Sequence, residues 1–253
     1  MTQDNLILET NADGITTLTL NCAPVNALSS EVLENLAGVF ETLAQDAACR
    51  ALIIQSPFKV FSAGLDLNAA AALDTAGEER IARALTLTFR ALYAFPKPTV
   101  CAVGGAAIAG GFFFPAACDA RLATAKATIG LAEVKVGVNL PVGPLEIARA
   151  ELPPAACRRL LLSGDPISAE EALSFGFFDQ ITETLDDDAM AKALSFAALP
   201  AAAFAATKAD LRRPAIETID RALAAGAHAP GATWFLPDSQ DHMRAMISGR
   251  KNT

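Results

Sequence analysis

Three short stretches hold the residue types that can do chemistry. Glu133 follows Ile129-Gly-Leu-Ala132 and precedes Val134, so its neighbours are apolar apart from Lys135. A carboxylate in a desolvated pocket holds its proton more tightly than one in water, which suits moving a proton near neutral pH. The same residue also reads as a solvated glutamate beside Lys135 on a turn, and on its neighbours alone that plainer reading is the stronger. Gly110, in Ala109-Gly-Gly111, can present a backbone N–H to an anion or to a developing oxyanion, since glycine lets a ligand approach the chain closely. It reads equally well as a glycine that only makes room for packing. The Gly64–Leu65 step in Ser62-Ala-Gly-Leu-Asp66 offers a second N–H of the same kind. Two such groups facing one carbonyl oxygen form an oxyanion hole, but spacing alone does not bring them together. Asp66 reads as a cap or an orienting group for a turn.

The stretch that must position Gly110 is Pro98 to Cys118, PTVCAVGGAAIAGGFFFPAAC, which has no charged residue although 19% of the chain is charged. About 20 apolar residues are enough to cross a bilayer. Two Gly-Gly pairs and Pro115 argue against one continuous helix, so no membrane span is expected. The stretch reads as a buried strand, Thr99 to Val103, then a glycine-rich turn, then a short apolar helix opened by Gly110-Gly111. The first N–H groups of such a helix have no partner inside it.

Upstream, Leu6 to Glu9 and Ile15 to Leu20 read as strands joined by a turn at Asn11 to Gly14. A helix is expected over Ser30 to Gln45, where Val32, Leu33, Leu36, Val39, Phe40 and Leu43 recur at helical spacing behind a Ser29 or Ser30 cap. Ala51 to Gln55 reads as a buried strand, and Val60 to Leu67 follows as the next segment. Helices are expected at Ala69 to Leu73 and Glu78 to Tyr93. Asp119 to Ala123 reads as a strand, with Ala127 to Gly130 after it. Helices are expected at Leu145 to Ala150, Pro154 to Ser163 and Ser168 to Phe175, then a short strand at Phe178 to Ile181. From about Asp186 the chain reads as wholly helical. Strand–helix alternation early and helices late predict an α/β core with a helical C-terminal appendage.

Composition narrows the function classes. The chain has 253 residues, is 52% hydrophobic and carries a formal net charge of −8. That supplies a sizeable core and disfavours nucleic acid as a partner, which needs a basic face. The five cysteines, Cys22, Cys49, Cys101, Cys118 and Cys157, show no CxxC spacing and read as free thiols in a reducing compartment. The N-terminal MTQDNLILET has no basic, apolar signal pattern, so a cytoplasmic location is expected. With only His228 and His242 as histidines, neither a His-based metal site nor a Ser–His–Asp triad is expected.

Taken together, Phe61-Ser-Ala-Gly-Leu-Asp-Leu67, Ala109-Gly-Gly111, Cys118-Asp119 and Ile129-Gly-Leu-Ala-Glu133 resemble the crotonase (enoyl-CoA hydratase/isomerase) superfamily. Pro24-Val-Asn-Ala-Leu28, Ser163-Gly-Asp-Pro-Ile-Ser-Ala169 and Glu171-Ala-Leu-Ser-Phe-Gly176 extend the likeness, which runs in order over about residues 5 to 185. Within the superfamily it is most like the mitochondrial-type Δ3,Δ2-enoyl-CoA isomerases.

The resemblance implies a spiral of ββα units over residues 1–195 and a helical trimerisation region over 196–253 that can also cover an active site, in homotrimers that can pair into hexamers. It implies an acyl-CoA substrate and no separate cofactor, coenzyme A being part of the substrate. It assigns the oxyanion-hole N–H groups to Leu65 and Gly110, and the acyl-CoA site to Ala63, Gly64, Leu65, Asp66 and Leu67 with Gly110, Phe113 and Ala132. Typical hydratases of the superfamily hold a water molecule between two glutamates. Here the first of those positions is Phe113, and only the second, Glu133, is retained. One base without an activated water implies isomerisation: proton removal and return. The isomerases often carry a polar residue where this chain has Ala132, and Pro115 implies that the helix after Gly110 starts later than usual.

Overall fold

The structure, a computed structural model, describes residues 5–228 and 235–250. The chain opens with a hairpin, β1 (Leu6–Thr10) and β2 (Ile15–Leu20), paired antiparallel. After β3 (Ala27–Leu28) comes α1 (Ser30–Gln45), whose Ser29 side chain accepts the Val32 N–H and whose Leu33, Leu36, Phe40 and Leu43 are buried. There follow β4 (Ala51–Gln55), β5 (Val60–Ser62), β6 (Gly64–Leu65), α2 (Leu67–Ala70) and α3 (Thr75–Tyr93). The central stretch forms β7 (Thr99–Val103), β8 (Ala106–Ile108), a 3-10 turn (Ala109–Phe112) and α4 (Phe113–Ala117). Next are β9 (Ala120–Ala123), β10 (Thr128–Gly130), a second 3-10 turn (Glu133–Val136), α5 (Val142–Glu151), α6 (Pro154–Ser163), β11 (Ile167–Ser168), α7 (Ala169–Ser174) and β12 (Gln180–Ile181). The end is helical: α8 (Leu185–Ala197), α9 (Ala201–Ala224) and α10 (Ser239–Arg250).

The strands build a spiral. A six-stranded sheet has the order β1-β2-β4-β7-β9-β12 and a four-stranded sheet the order β11-β10-β8-β5. Each of β4, β7 and β9 lies in the first sheet, and the chain passes from each directly into β5, β8 or β10 in the second. Within each sheet these strands pair parallel. Period-2 alternation gives the first sheet two apolar faces. Leu52 and Ile54 of β4 join the main core with α1, α3 and α4, whereas Ala51 and Ile53 face Ala189 and Ala193 of α8. This is the mixed α/β spiral with a helical C-terminal region that the resemblance implied.

Local departures have physical reasons. The segment expected over Val60 to Leu67 breaks at Ala63, because Ser62 and Gly64 bond into different sheets. The expected helix at Ala69 to Leu73 begins earlier, at Leu67, because Asp66 Oδ1 accepts the N–H groups of Asn68 (2.9 Å) and Ala69 (3.3 Å). Gly110-Gly111 does not open an α-helix. Both lie in the 3-10 turn, and the five-residue α4 starts at Phe113, placing Pro115 inside its first turn, where proline costs little. The three phenylalanines Phe112, Phe113 and Phe114 are fully buried.

All five cysteines are free, four of them buried and Cys22 half-buried. Among the described residues no single helix is long and apolar enough to cross a membrane. α9 is anchored through Asp119, whose carboxylate takes Lys208 Nζ at 2.6 Å and Arg212 at 2.9 Å while accepting the Thr99 N–H at 2.8 Å.

Candidate active site

The oxyanion candidates are held by a backbone crossing that only glycine permits. Gly64 has φ +77°, and a Cβ there would lie 2.9 Å from the Gly110 nitrogen and 2.9 Å from the Ile108 oxygen. A Cβ on Gly111 would come within 2.4 Å of the Ser62 carbonyl oxygen. The β6 strand and the 3-10 turn are therefore in backbone contact, and Leu65 and Gly110 come together although 45 positions separate them in sequence.

Neither N–H is used within its own strand pair or turn. Asp66 N–H donates to Leu28 O at 3.3 Å across the β3–β6 pair. Successive N–H groups of a strand point to opposite edges, so the Leu65 N–H faces away from β3. Gly110 stands in the first turn of its 3-10 segment, where no carbonyl of that turn can reach its N–H.

The support beneath β6 is a residue that motif reading did not single out as functional. Asn26, 1% exposed, donates from Nδ2 to Phe61 O at 2.8 Å and Ser56 Oγ at 2.8 Å, and its Oδ1 accepts the Cys22 N–H at 2.8 Å. Ser62 donates its hydroxyl to Asn26 O at 2.8 Å, and Ala63 N–H donates to Val25 O at 3.0 Å. Asn26 itself sits at φ 48°, a conformation asparagine tolerates better than most residues. The signal was present in Pro24-Val-Asn-Ala-Leu28, but its physical role depends on contacts with residues 35 positions away.

Glu133 opens the second 3-10 turn, which closes on Gly137 at φ +69°. The solvated-turn reading fails here. Lys135 Nζ turns to Asp165 at 2.6 Å, and Val134 is 48% exposed, whereas the Glu133 Oε2 atom is shielded from solvent and has no hydrogen-bond partner. Burial pushes the Glu133 carboxyl up to about 7 from 4.5, against a hydrogen bond from its own backbone N–H that lowers it. A group at that value exchanges its proton near neutrality.

Glu133, Leu65, Gly110 and Phe113 line one cavity of about 480 Å³. Ala63, Asp66, Leu67 and Ala132 also line it. Gly64 does not; it lies beneath, where it allows the crossing. Phe113 belongs to the lining as a buried apolar residue, its ring packed against Phe89 (centroids 5.5 Å apart) and Phe112 (5.2 Å). Asp66 combines a cap with a place in the wall. Among the described residues no three His, Cys, Asp or Glu side chains gather to hold a metal ion.

The paired-sheet spiral with glycine-set backbone amides and a buried carboxyl over one apolar cavity is the architecture of a crotonase-fold enzyme. The model of the enoyl-CoA hydratase/isomerase family matches residues 10–245, and the chain belongs to that family. The crystal structure of human mitochondrial Δ3,Δ2-enoyl-CoA isomerase superposes with a TM-score of 0.91 at 26% identity, covering 98% of each chain. The short-chain-enoyl-CoA hydratase of Clostridium acetobutylicum is 28% identical over 99% of this chain and 97% of that protein. The probable enoyl-CoA hydratase of Bacillus subtilis is 32% identical over 64% of this chain, a match that spans 63% of that protein's own length.

Proposed function

We propose that this chain is a Δ3,Δ2-enoyl-CoA isomerase working with one base. The thioester carbonyl oxygen of a 3-enoyl-CoA takes the Leu65 and Gly110 N–H groups. The Glu133 carboxylate removes a proton from C2, the electron pair moves into the enolate, and the C3–C4 double bond is placed in conjugation. The protonated Glu133 returns the proton to C4, the double bond forms between C2 and C3, and the carboxylate is regenerated. Each oxyanion donor is worth about 3 kcal/mol by the scale of such groups.

The observation that carries this reading is a Glu133 carboxyl whose Oε2 has no hydrogen-bond partner, in a cavity whose lining has Phe113 where a second carboxylate would be needed. One carboxyl can shuttle a proton between two carbons. Hydration needs a held water molecule, and the phenyl ring offers it no acceptor. On this reading the reaction draws on no cofactor beyond the coenzyme A of the substrate, and similarity to multifunctional proteins of fatty acid β-oxidation supports a role in that process. A trimer is part of the proposal. α9 and the loop before it carry Leu211 (78% exposed) and Leu199 (48% exposed) on a face that a second copy would cover.

The test is conversion of 3-enoyl-CoA by the purified protein, with hydration of 2-enoyl-CoA followed in parallel. Fast isomerisation with negligible hydration supports the one-base reading. Fast hydration overturns it in favour of a hydratase. Tight binding without either reaction leaves a non-catalytic acyl-CoA-binding protein.

A further inference from the structure

Part of the cavity wall, Met243, Met246 and Ile247, comes from the far end of the same chain. α10 lies against α2 and the Glu133 turn. It is tied there at several points. The Ser239 hydroxyl donates to the Gly137 carbonyl and accepts the Leu236 N–H at 2.7 Å. Gln240 Nε2 donates to Leu73 O at 3.1 Å, and Phe235 bridges to Val138. Met243 is fully buried among Ala70, Ala71, Val136 and Val138. A Cβ on Gly137 would lie 2.9 Å from the His242 ring, so this packing is close.

Three and four residues after Met243, on the same helix face, Met246 and Ile247 are half-buried and line the cavity. The polar side chains of the lining are Asp66, Asn68 and Glu133. The α10 wall supplies thioether and branched alkyl groups, beside Val136 and Val138 from the segment that follows Glu133. The amides of a pantetheine arm need hydrogen-bond partners, and this wall has no side-chain donor to give. An alkyl tail needs none.

Resting on the acyl-CoA reading above, we propose that Met246 and Ile247 contact the acyl tail and set the chain length the enzyme accepts, with Met243 locking their helix in place. Substrate length is then read by the C-terminal helix of the same protomer. One methylene more or less in an apolar pocket changes selectivity by about tenfold or more, and methionine adapts its shape to its contacts.

The experiment uses the full chain and the variants Met246→Ala, Ile247→Ala and Met246→Phe. Two quantities are measured at six, ten and fourteen acyl carbons: kcat/KM for the 3-enoyl-CoA and Kd for the saturated acyl-CoA by calorimetry. The alanine variants are expected to raise the long-to-short ratio by about tenfold, and Met246→Phe to lower it by a similar factor. An unchanged ratio in all three variants overturns the proposal. So does a uniform loss at every length, which would make α10 a clamp and not a ruler. If the wild type binds saturated acyl-CoA but turns over no 3-enoyl-CoA, the isomerase reading falls, and the Kd ratios alone decide the length proposal by the same criteria.

Discussion

A Cβ placed on Gly64 would sit 2.9 Å from the Gly110 backbone nitrogen. That single approach brings two loops from different turns of the spiral to one point, and it makes the candidate oxyanion hole a property of backbone geometry. Gly64→Ala should therefore fail twice. At φ +77° an alanine is strained by about 1–3 kcal/mol, and its methyl pushes Gly110 out of place. Losing one aligned donor costs about 10²–10³ in kcat. Thermal unfolding together with steady-state isomerase kinetics checks both effects. A variant with wild-type kcat and only a lower Tm would mean that the crossing is structural alone.

On the proposed mechanism, Glu133→Gln keeps the shape and removes the base. Isomerase turnover should fall by at least about 10²–10⁴-fold, with the affinity for a saturated acyl-CoA retained. Stability should move the other way. The folded chain holds the Glu133 proton up to about pH 7, whereas an ordinary glutamate releases it near 4.5. Between those values the folded state binds more protons than the unfolded one, so stability falls as pH rises through that window. The loss is about 3 kcal/mol at most. The glutamine variant should thus melt above the wild type at pH 8 and close to it at pH 5. An equal difference at both pH values would contradict the assigned burial of the carboxyl.

The same value fixes the pH profile of the wild type. On the proposed mechanism the base must be ionised to accept the C2 proton, so kcat/KM should rise about tenfold per pH unit below 7 and level off above it. The measurement is kcat/KM from pH 5 to 9 with a 3-enoyl-CoA whose own groups do not titrate in that range. A midpoint near 4.5 would mean that Glu133 is solvated, as its neighbours Val134 and Lys135 first suggest.

Much of this was legible in the sequence because it is carried by local pattern. Thr99 to Val103 is a run of apolar and β-branched residues without charge, and it is a strand buried along its whole length. The α1 helix announces itself by spacing and by the Ser29 cap. What stayed hidden depends on distant contacts. The strands β3, β6 and β11 have two residues each, too few for any periodicity to show. The shielding of Glu133 Oε2 is invisible beside exposed Val134 and Lys135, because the half-buried Glu133 turns that oxygen inward while the next two side chains are exposed. The resemblance implied that the helical C-terminal region can cover an active site, but which α10 residues form the wall is hidden for the same reason. Ser-Gln-Asp-His-Met-Arg-Ala-Met reads as polar, and its Met243 finds Ala70 and Val136 more than a hundred positions upstream.

Asn26 tests whether the scaffold beneath β6 matters to the chemistry. Asn26→Ala removes three hydrogen bonds and leaves the Phe61 carbonyl and the Cys22 N–H without their partner. Each buried group so orphaned costs about 1–3 kcal/mol, so a Tm drop of several degrees is expected. Because Phe61 and Ser62 lead directly into Gly64, kcat should fall as well, while KM for the acyl-CoA changes less. Asn26→Asp keeps the acceptor for Cys22 and should rescue part of the stability but not the donor bond to Phe61. Normal kcat in Asn26→Ala would confine the residue to folding.

Asp119 offers the last test, of the joint between the spiral and its helical end. Its carboxylate is the shared partner of Lys208, 7% exposed, and Arg212, 4% exposed. Burial lowers Lys208 to about 8, although Asp119 pulls it up. Removing the carboxylate therefore leaves two buried cations facing each other. Breaking one side of such an arrangement costs about 3–5 kcal/mol, so Asp119→Ala should unfold at far lower denaturant than the wild type. Asp119→Asn keeps the acceptor for the Thr99 N–H and should fall between the two. If the α9 joint is also what presents Leu211 to a second copy, the variants should shift the protein toward monomer in analytical ultracentrifugation before they lose the spiral's circular dichroism. Loss of both signals together would mean that α9 is part of one cooperative core.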